Sequence, residues 1–170
     1  EASMDITGLI GQYAHGNEPS HHTTYMYAYS GEHYKIADKV RFINNELYND
    51  QPDGLSGNED CGQMSAWYIL SSMGFYPVNP SNGAYVFGSP LFDEVVLDIP
   101  GQKQFKISAI NNSDKNIYIQ SISLNGEEHK YSYITHKEIL KGGELEFTMG
   151  PKPNKDFGKE KKYRPESIVY

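Results

Sequence analysis

The stretch from Gln63 to Met73 carries no charged residue, and glycines bracket it at Gly62 and Gly74. Trp67, Tyr68, Ile69, Leu70 and Met73 go around a helix drawn on this stretch, with small Ser65, Ala66, Ser71 and Ser72 between them. A helix that is apolar on every side is expected to be buried on every side. The chain therefore reads as containing a helix over residues 62–73 of the kind that forms the inner layer of a two-layer helical ring. Pro77 forbids its continuation. A chain of 170 residues has room for one ordinary domain or two small ones around such an element.

The residues before it read as helical too. Pro19 suits the first position of a helix over 19–29, and Gly31 sits where a left-handed cap would end it. A second helix over 32–48 spaces Ile36, Val40, Ile43 and Leu47 at the helical period. Lys35, Asp38, Lys39 and Arg41 mark its other face as wet, which makes it an outer helix. Beyond Pro77 the grammar changes. The turn cluster Asn79-Pro80-Ser81-Asn82-Gly83 separates a helical part, 1–78, from a β part, 79–170. Strand-like runs follow at 84–87, 94–99, 104–110, 117–124 and 144–149. Asn125-Gly126, directly after the fourth run, is a strong signal for a two-residue hairpin. The expected fold class is α then β, ending in a small antiparallel sandwich and a polar tail. The basic run 159–164 in that tail reads as solvated.

Two glycine-punctuated acidic loops lead into the predicted helices. The first is Gly16-Asn17-Glu18-Pro19-Ser20-His21-His22 and the second runs from Asp53 to Gly62 through Gly57-Asn58-Glu59-Asp60-Cys61. Glu18 either caps its helix or joins Asn17 in offering hard oxygen donors, which suit calcium and not zinc. Adjacent His21 and His22 point about 100° apart on a helix and do not share one ion. His15 reads as a contact to a sugar hydroxyl or as a plain loop histidine. Asp60 reads as a cap of the third helix or as a general base on a rigid support. Lone Cys61 permits no disulfide within the chain and is more simply a packing group than a nucleophile. The acidic spacing does not match an EF-hand loop.

Composition excludes some partners. With 15 basic and 22 acidic residues the net charge is −7, the wrong sign for a phosphate-neutralising nucleic-acid surface. No run approaches the ~18 apolar residues of a membrane span. Aromatic residues make up 13% of the chain, with fourteen tyrosines. Much of the core should therefore be Tyr and Phe, and surplus rings could stack on sugars.

The two loops, with the continuation Ser72-Met73-Gly74-Phe75-Tyr76-Pro77-Val78 and the stretch Tyr85-Val86-Phe87-Gly88-Ser89-Pro90, closely resemble the C-terminal part of glycoside hydrolase family 92, the calcium-dependent exo-α-mannosidases. The resemblance implies an N-terminal β-sandwich, an (α/α)6 toroid whose last helices lie in this chain, and inverting release of mannose from non-reducing ends. It implies Ca2+ held by the Gly16 carbonyl, Asn17 and Glu18, gripping the 2- and 3-hydroxyls of the terminal sugar. It matches Asp60 to the carboxylate that activates water, and it makes His15, Asn58 and Glu59 candidates for substrate contacts. Many members have Asp where this chain has Asn58, so a second acidic base is not expected there. The family's general acid lies well upstream of the first loop, and only seventeen residues precede Glu18. The chain, which opens Glu-Ala-Ser-Met-Asp, is therefore expected to be one piece of a larger mannosidase, inactive without the rest of the same polypeptide, and periplasmic or secreted. The rival reading is a non-catalytic carbohydrate-binding module, which would need Trp67 exposed as a stacking platform.

Overall fold

The structure, a computed structural model, describes residues 6–167, so the opening pentapeptide lies outside the described residues. A short ribbon, β1 (Leu9–Ile10) and β2 (Tyr13–Ala14), leads into the first loop. The helix expected over 19–29 is broken into two 3-10 turns, Glu18–Ser20 and Thr23–Tyr25, and a single α-turn, α1 (Tyr27–Ser30). The reason is local: none of these turns has a side-chain cap, and the two 3-10 turns are closed by backbone bonds across three residues. Gly31 does end α1 in the left-handed conformation, at φ 82. Helix α2 (Lys35–Glu46) buries Ile36, Val40 and Ile43 as its period requires. Arg41, expected on its wet face, is buried instead. It donates Nε–H to Ser89 Oγ at 3.0 Å, and further hydrogens to Pro90 O and Asn112 Oδ1.

Helix α3 (Gln63–Met73) is bounded by left-handed Gly62 and Gly74. It buries Trp67, Met64, Ser71 and Met73, but Ser65, Ala66 and Ile69 are exposed. The expectation of burial on every side is thus corrected: one stripe of an uncharged helix faces outward among the described residues. Directly after it, β3 (Phe75–Tyr76) pairs with β4 (Ala84–Phe87) across the turn cluster, and β4 pairs with β9 (Tyr133–Thr135). The helix gives way to strand between Met73 and Phe75, ahead of residue 78, and packing runs straight across both points. Tyr76 and Val86 join Tyr25, Ile36, Ile43 and Trp67 in one core, and Met73 and Phe75 join the sheet residues in the other.

The larger sheet is five-stranded, with β5 (Glu94–Ile99), β6 (Lys103–Ile110), β7 (Tyr118–Leu124), β8 (Glu127–Glu128) and β10 (Gly143–Gly150) in the order β5-β6-β10-β7-β8. Asn125 and Gly126 both have positive φ and close the β7–β8 hairpin as expected. The antiparallel expectation fails at one pair, because β6 and β10 run parallel, in register from Phe105↔Gly143 to Ile110↔Thr148. A parallel pair needs a long connection. Here it contains β7, β8, β9 and the capped turn α4 (His136–Ile139), where Thr135 and Glu138 form a capping box. The tail is not a loose basic segment. Tyr163 O accepts from Ser132 N and Oγ, Phe157 lies edge-on to buried His33, and Arg164 donates to Lys159 O and Tyr29 O.

Candidate active site

Both acidic loops are held at one place by backbone contact. A Cβ on Gly57 would strike the Gly16 carbonyl oxygen, and a Cβ on Gly16 would lie 3.0 Å from Ser56 O. Gly57 also has φ +84, so only glycine fits there without strain. The expected consequence is sharp. Gly57→Ala should cost more than the ~1–2 kcal/mol of a left-handed alanine alone. Gly11→Ala, at φ +62 with nothing within 4 Å of the added carbon, should cost only that. Thermal unfolding of the two variants checks it, and equal shifts would rule out close packing between the loops.

Behind the loops lies a buried polar stack. The His15 ring is fully buried. It lies on His21, centroids 4.7 Å apart, and edge-on to Trp67 at 4.4 Å. Tyr48 donates its hydroxyl hydrogen to Met64 O at 3.1 Å, so its oxygen accepts the His15 Nε2 hydrogen at 2.6 Å. His15 Nδ1 then accepts from the Tyr13 hydroxyl at 2.7 Å. Burial, with the neighbouring His21 second, lowers the His15 pKa to about 3, and neutral imidazole is what this chain of donors and acceptors requires. With both nitrogens spent and no surface, His15 does not reach a sugar hydroxyl. It braces the first loop from below.

His21, buried too, faces both acidic loops. Its Nε2 donates to His15 O at 2.9 Å and Trp67 Nε1 donates to the His21 carbonyl at 3.0 Å. Burial lowers its pKa, opposed by the hydrogen bond to His15 and by the charges of Glu18 and Asp60. Carboxylates from the two loops thus act on one ring. Glu18 begins the 3-10 turn with exposed Pro19 behind it, while the side chain of Asn17 makes no capping bond and is left for another role. Glu18 lines a cleft of about 280 Å³ with His22, Gln63, Ala66, Leu70 and Tyr76. Glu59 accepts from Ser65 N at 3.1 Å and Ser65 Oγ at 2.9 Å, so it, and not Asp60, caps α3. Asn58 is exposed.

Asp60 begins a run of three left-handed residues, with φ 49, 57 and 91 at Asp60, Cys61 and Gly62. Non-glycine residues pay about 1–2 kcal/mol each for this conformation. Bonds from Gln63 N to Asp60 O at 3.2 Å and from Met64 N to Glu59 O at 3.3 Å hold the turn shut. Strain of this kind persists where the surroundings over-determine it. Exposed Asp60 is therefore presented on a stiff pedestal at the head of α3. Trp67, fully buried, is no platform for a sugar. The loops alone do not point to Tyr48, Gln63 and Tyr76, whose only signal is an unusual density of hydrogen-bonding side chains around uncharged α3.

Known proteins share this fold. Residues 1–151 match the glycosyl hydrolase family 92 catalytic domain. The family GH92 α-mannosidase BT3965 from Bacteroides thetaiotaomicron, solved with mannoimidazole, is 43% identical and superposes with a TM-score of 0.92 over 96% of this chain and 22% of that one. The inverting mannosidase BT2199 of the same organism is 44% identical, with a TM-score of 0.86 over 92% of this chain and 21% of that one. A secreted glycosidase of Arthroderma benhamiae, itself uncharacterized, is 35% identical over 138 residues, which is 79% of this chain and 18% of that protein. These relatives are glycoside hydrolases. The chain belongs to glycoside hydrolase family 92, and it spans about a fifth of the length of the relatives it matches.

Proposed function

We propose that this chain is the C-terminal part of an inverting, calcium-dependent exo-α-mannosidase that releases mannose from non-reducing ends of α-mannosides. The observation that carries the reading is the backbone contact that locks the two acidic loops together at Gly16 and Gly57, which keeps Glu18 and Asp60 on neighbouring segments. Asp60 is the general base. An inverting enzyme needs a carboxylate that takes a proton from water on one face of the sugar, about 6.5–9.5 Å from the acid on the other. The left-handed turn at the head of α3 holds the Asp60 backbone and presents its exposed side chain for that role. The α-mannosidase relatives named above support the substrate class.

The donor set suits calcium. The Gly16 carbonyl, the Asn17 amide and the Glu18 carboxylate are all oxygens, on consecutive residues. Among the described residues no three His, Cys, Asp or Glu side chains gather into a metal site, so beside the Glu18 carboxylate the ion would depend on the carbonyl, the amide and water. Calcium held by these residues would supply binding and ring-distortion energy to the bound sugar. Asn58 remains a contact to substrate or water. His15 and Glu59 act through the loops they hold. Chelation of the full-length protein should abolish mannose release, and calcium but not zinc should restore it; activity indifferent to chelation would remove the metal from the mechanism.

The general acid, the N-terminal β-sandwich and the rest of the (α/α)6 toroid are placed in the remainder of the polypeptide, which is this chain's principal partner. The 170 residues alone are then inactive, and mannose release by the pure isolated chain above a heat-killed control would refute that. The secreted fungal relative supports a secreted or periplasmic location, and no described helix is long and apolar enough to cross a membrane.

The first test is the reaction itself. Full-length protein should release mannose from an aryl α-mannoside, and proton NMR at early times should show the β-anomer. Release of the α-anomer would sink the inverting assignment.

A further inference from the structure

We propose that Gln63 is the positioning residue that sets Asp60 against Glu18. The inference rests on the mannosidase reading and goes beyond it, because Gln63 is neither base nor metal ligand. Gln63 is hydrogen-bonded towards both loops. Its backbone N–H donates to Asp60 O at 3.2 Å and helps close the left-handed turn. Its side chain reaches the other way, with Nε2 3.0 Å from His21 Nδ1 and 3.0 Å from Tyr76 Oη. His21 in turn donates its backbone N–H to Glu18 O at 3.0 Å and its ring Nε2–H to His15 O at 2.9 Å. A closed path of hydrogen bonds therefore leads from the Asp60 turn, through one glutamine, to the Glu18 turn.

The orientation of the amide follows from its neighbours. His21 Nε2 faces a carbonyl and must carry the ring hydrogen, so neutral His21 presents Nδ1 as an acceptor. Only the NH2 end of Gln63 satisfies it, and the second amide hydrogen goes to the Tyr76 oxygen. Both donors are used, and the side chain is half-buried in the wall of the cleft that Glu18 also lines. A carboxylate of the same shape would put an oxygen against the Nδ1 lone pair. A thioether of similar length would make neither bond.

The loops keep their separate attachments without this bridge. The Gly16–Gly57 contact holds the backbones, and Glu59 still caps α3 through Ser65. What is lost is the fine setting of one turn against the other. Misplacing a reacting group by about 1 Å costs on the order of 10²-fold in rate. Binding of the sugar by the calcium loop does not need that setting.

The test uses full-length Gln63→Met and Gln63→Glu. The expected result is a kcat lower by about 10–10²-fold, with KM and the calcium affinity measured by calorimetry within about threefold of the parent. Tyr76→Phe, which keeps the His21 bond, should stay within about threefold in kcat. The decisive measurement is a double-mutant cycle, since residues acting as one unit are non-additive. Adding Gln63→Met to Asp60→Ala should lower kcat no further. A merely structural glutamine would lower it again by its full factor, and that outcome overturns the proposal. So does a KM that rises while kcat holds, which would make Gln63 a substrate contact. If the parent protein releases no mannose from any α-mannoside, the functional reading has failed; if it does and the variants match it, only the role of Gln63 has.

Discussion

Asp60→Asn in the full-length protein should lower kcat by about 10²–10⁴-fold, the range a positioned general base contributes. Asparagine keeps the shape and tolerates the left-handed backbone at φ 49 better than most residues, so the loss isolates the carboxylate from the turn. Calcium affinity should be unchanged, because Asp60 is on the opposite loop from Asn17 and Glu18. The measurement is mannose release under saturating aryl α-mannoside, beside calorimetric titration with calcium. Turnover within tenfold of the parent would take Asp60 out of the base role. Loss of calcium binding together with turnover would show instead that the two loops form a single ion site.

Acid should destabilise this part of the protein between pH 7 and pH 5. His33 is buried, donates Nε2–H to Phe87 O at 2.9 Å, and has its pKa lowered by burial to about 4, the hydrogen bond opposing. His15 is lowered to about 3. An unfolded histidine titrates near 6.5. Between that value and the folded one the unfolded chain binds more protons, so stability is full above about pH 6.5 and falls as pH falls. The cost approaches 1.4 kcal/mol per unit for each ring, hence about 2 kcal/mol each by pH 5. Urea unfolding at pH 7 and pH 5 should differ by about 4 kcal/mol from these two, and His33→Gln should remove about half of that difference. A flat profile over that range would mean that the rings are reached by water.

Much of this was legible in the residues. The glycine brackets of α3, the burial of Trp67, the Asn125-Gly126 hairpin and most strands of the larger sheet follow from local chemistry, and the two loops advertise their acids. What was not legible depends on contacts far apart in the chain. The parallel pairing of β6 with β10 leaves no periodic trace, since either direction satisfies the same alternation. Arg41 looked wet by its charge and is buried because Ser89, Pro90 and Asn112 supply acceptors from another element. At the site, the sequence leaves His15 as either a sugar contact or a plain loop histidine. Only Tyr13 and Tyr48, the latter 33 residues away, reveal that both its nitrogens are already engaged.

The placement of β10 has a consequence for biosynthesis. This strand, residues 143–150, lies between β6 and β7 and hydrogen-bonds to both. A nascent chain that has left the ribosome only as far as β9 carries two strands with no partner between them, and such edges invite association with other chains. Closure of the sheet must await the synthesis of residues 143–150. A premature stop between Leu124 and Gly143 should therefore yield an aggregating product rather than a shortened domain.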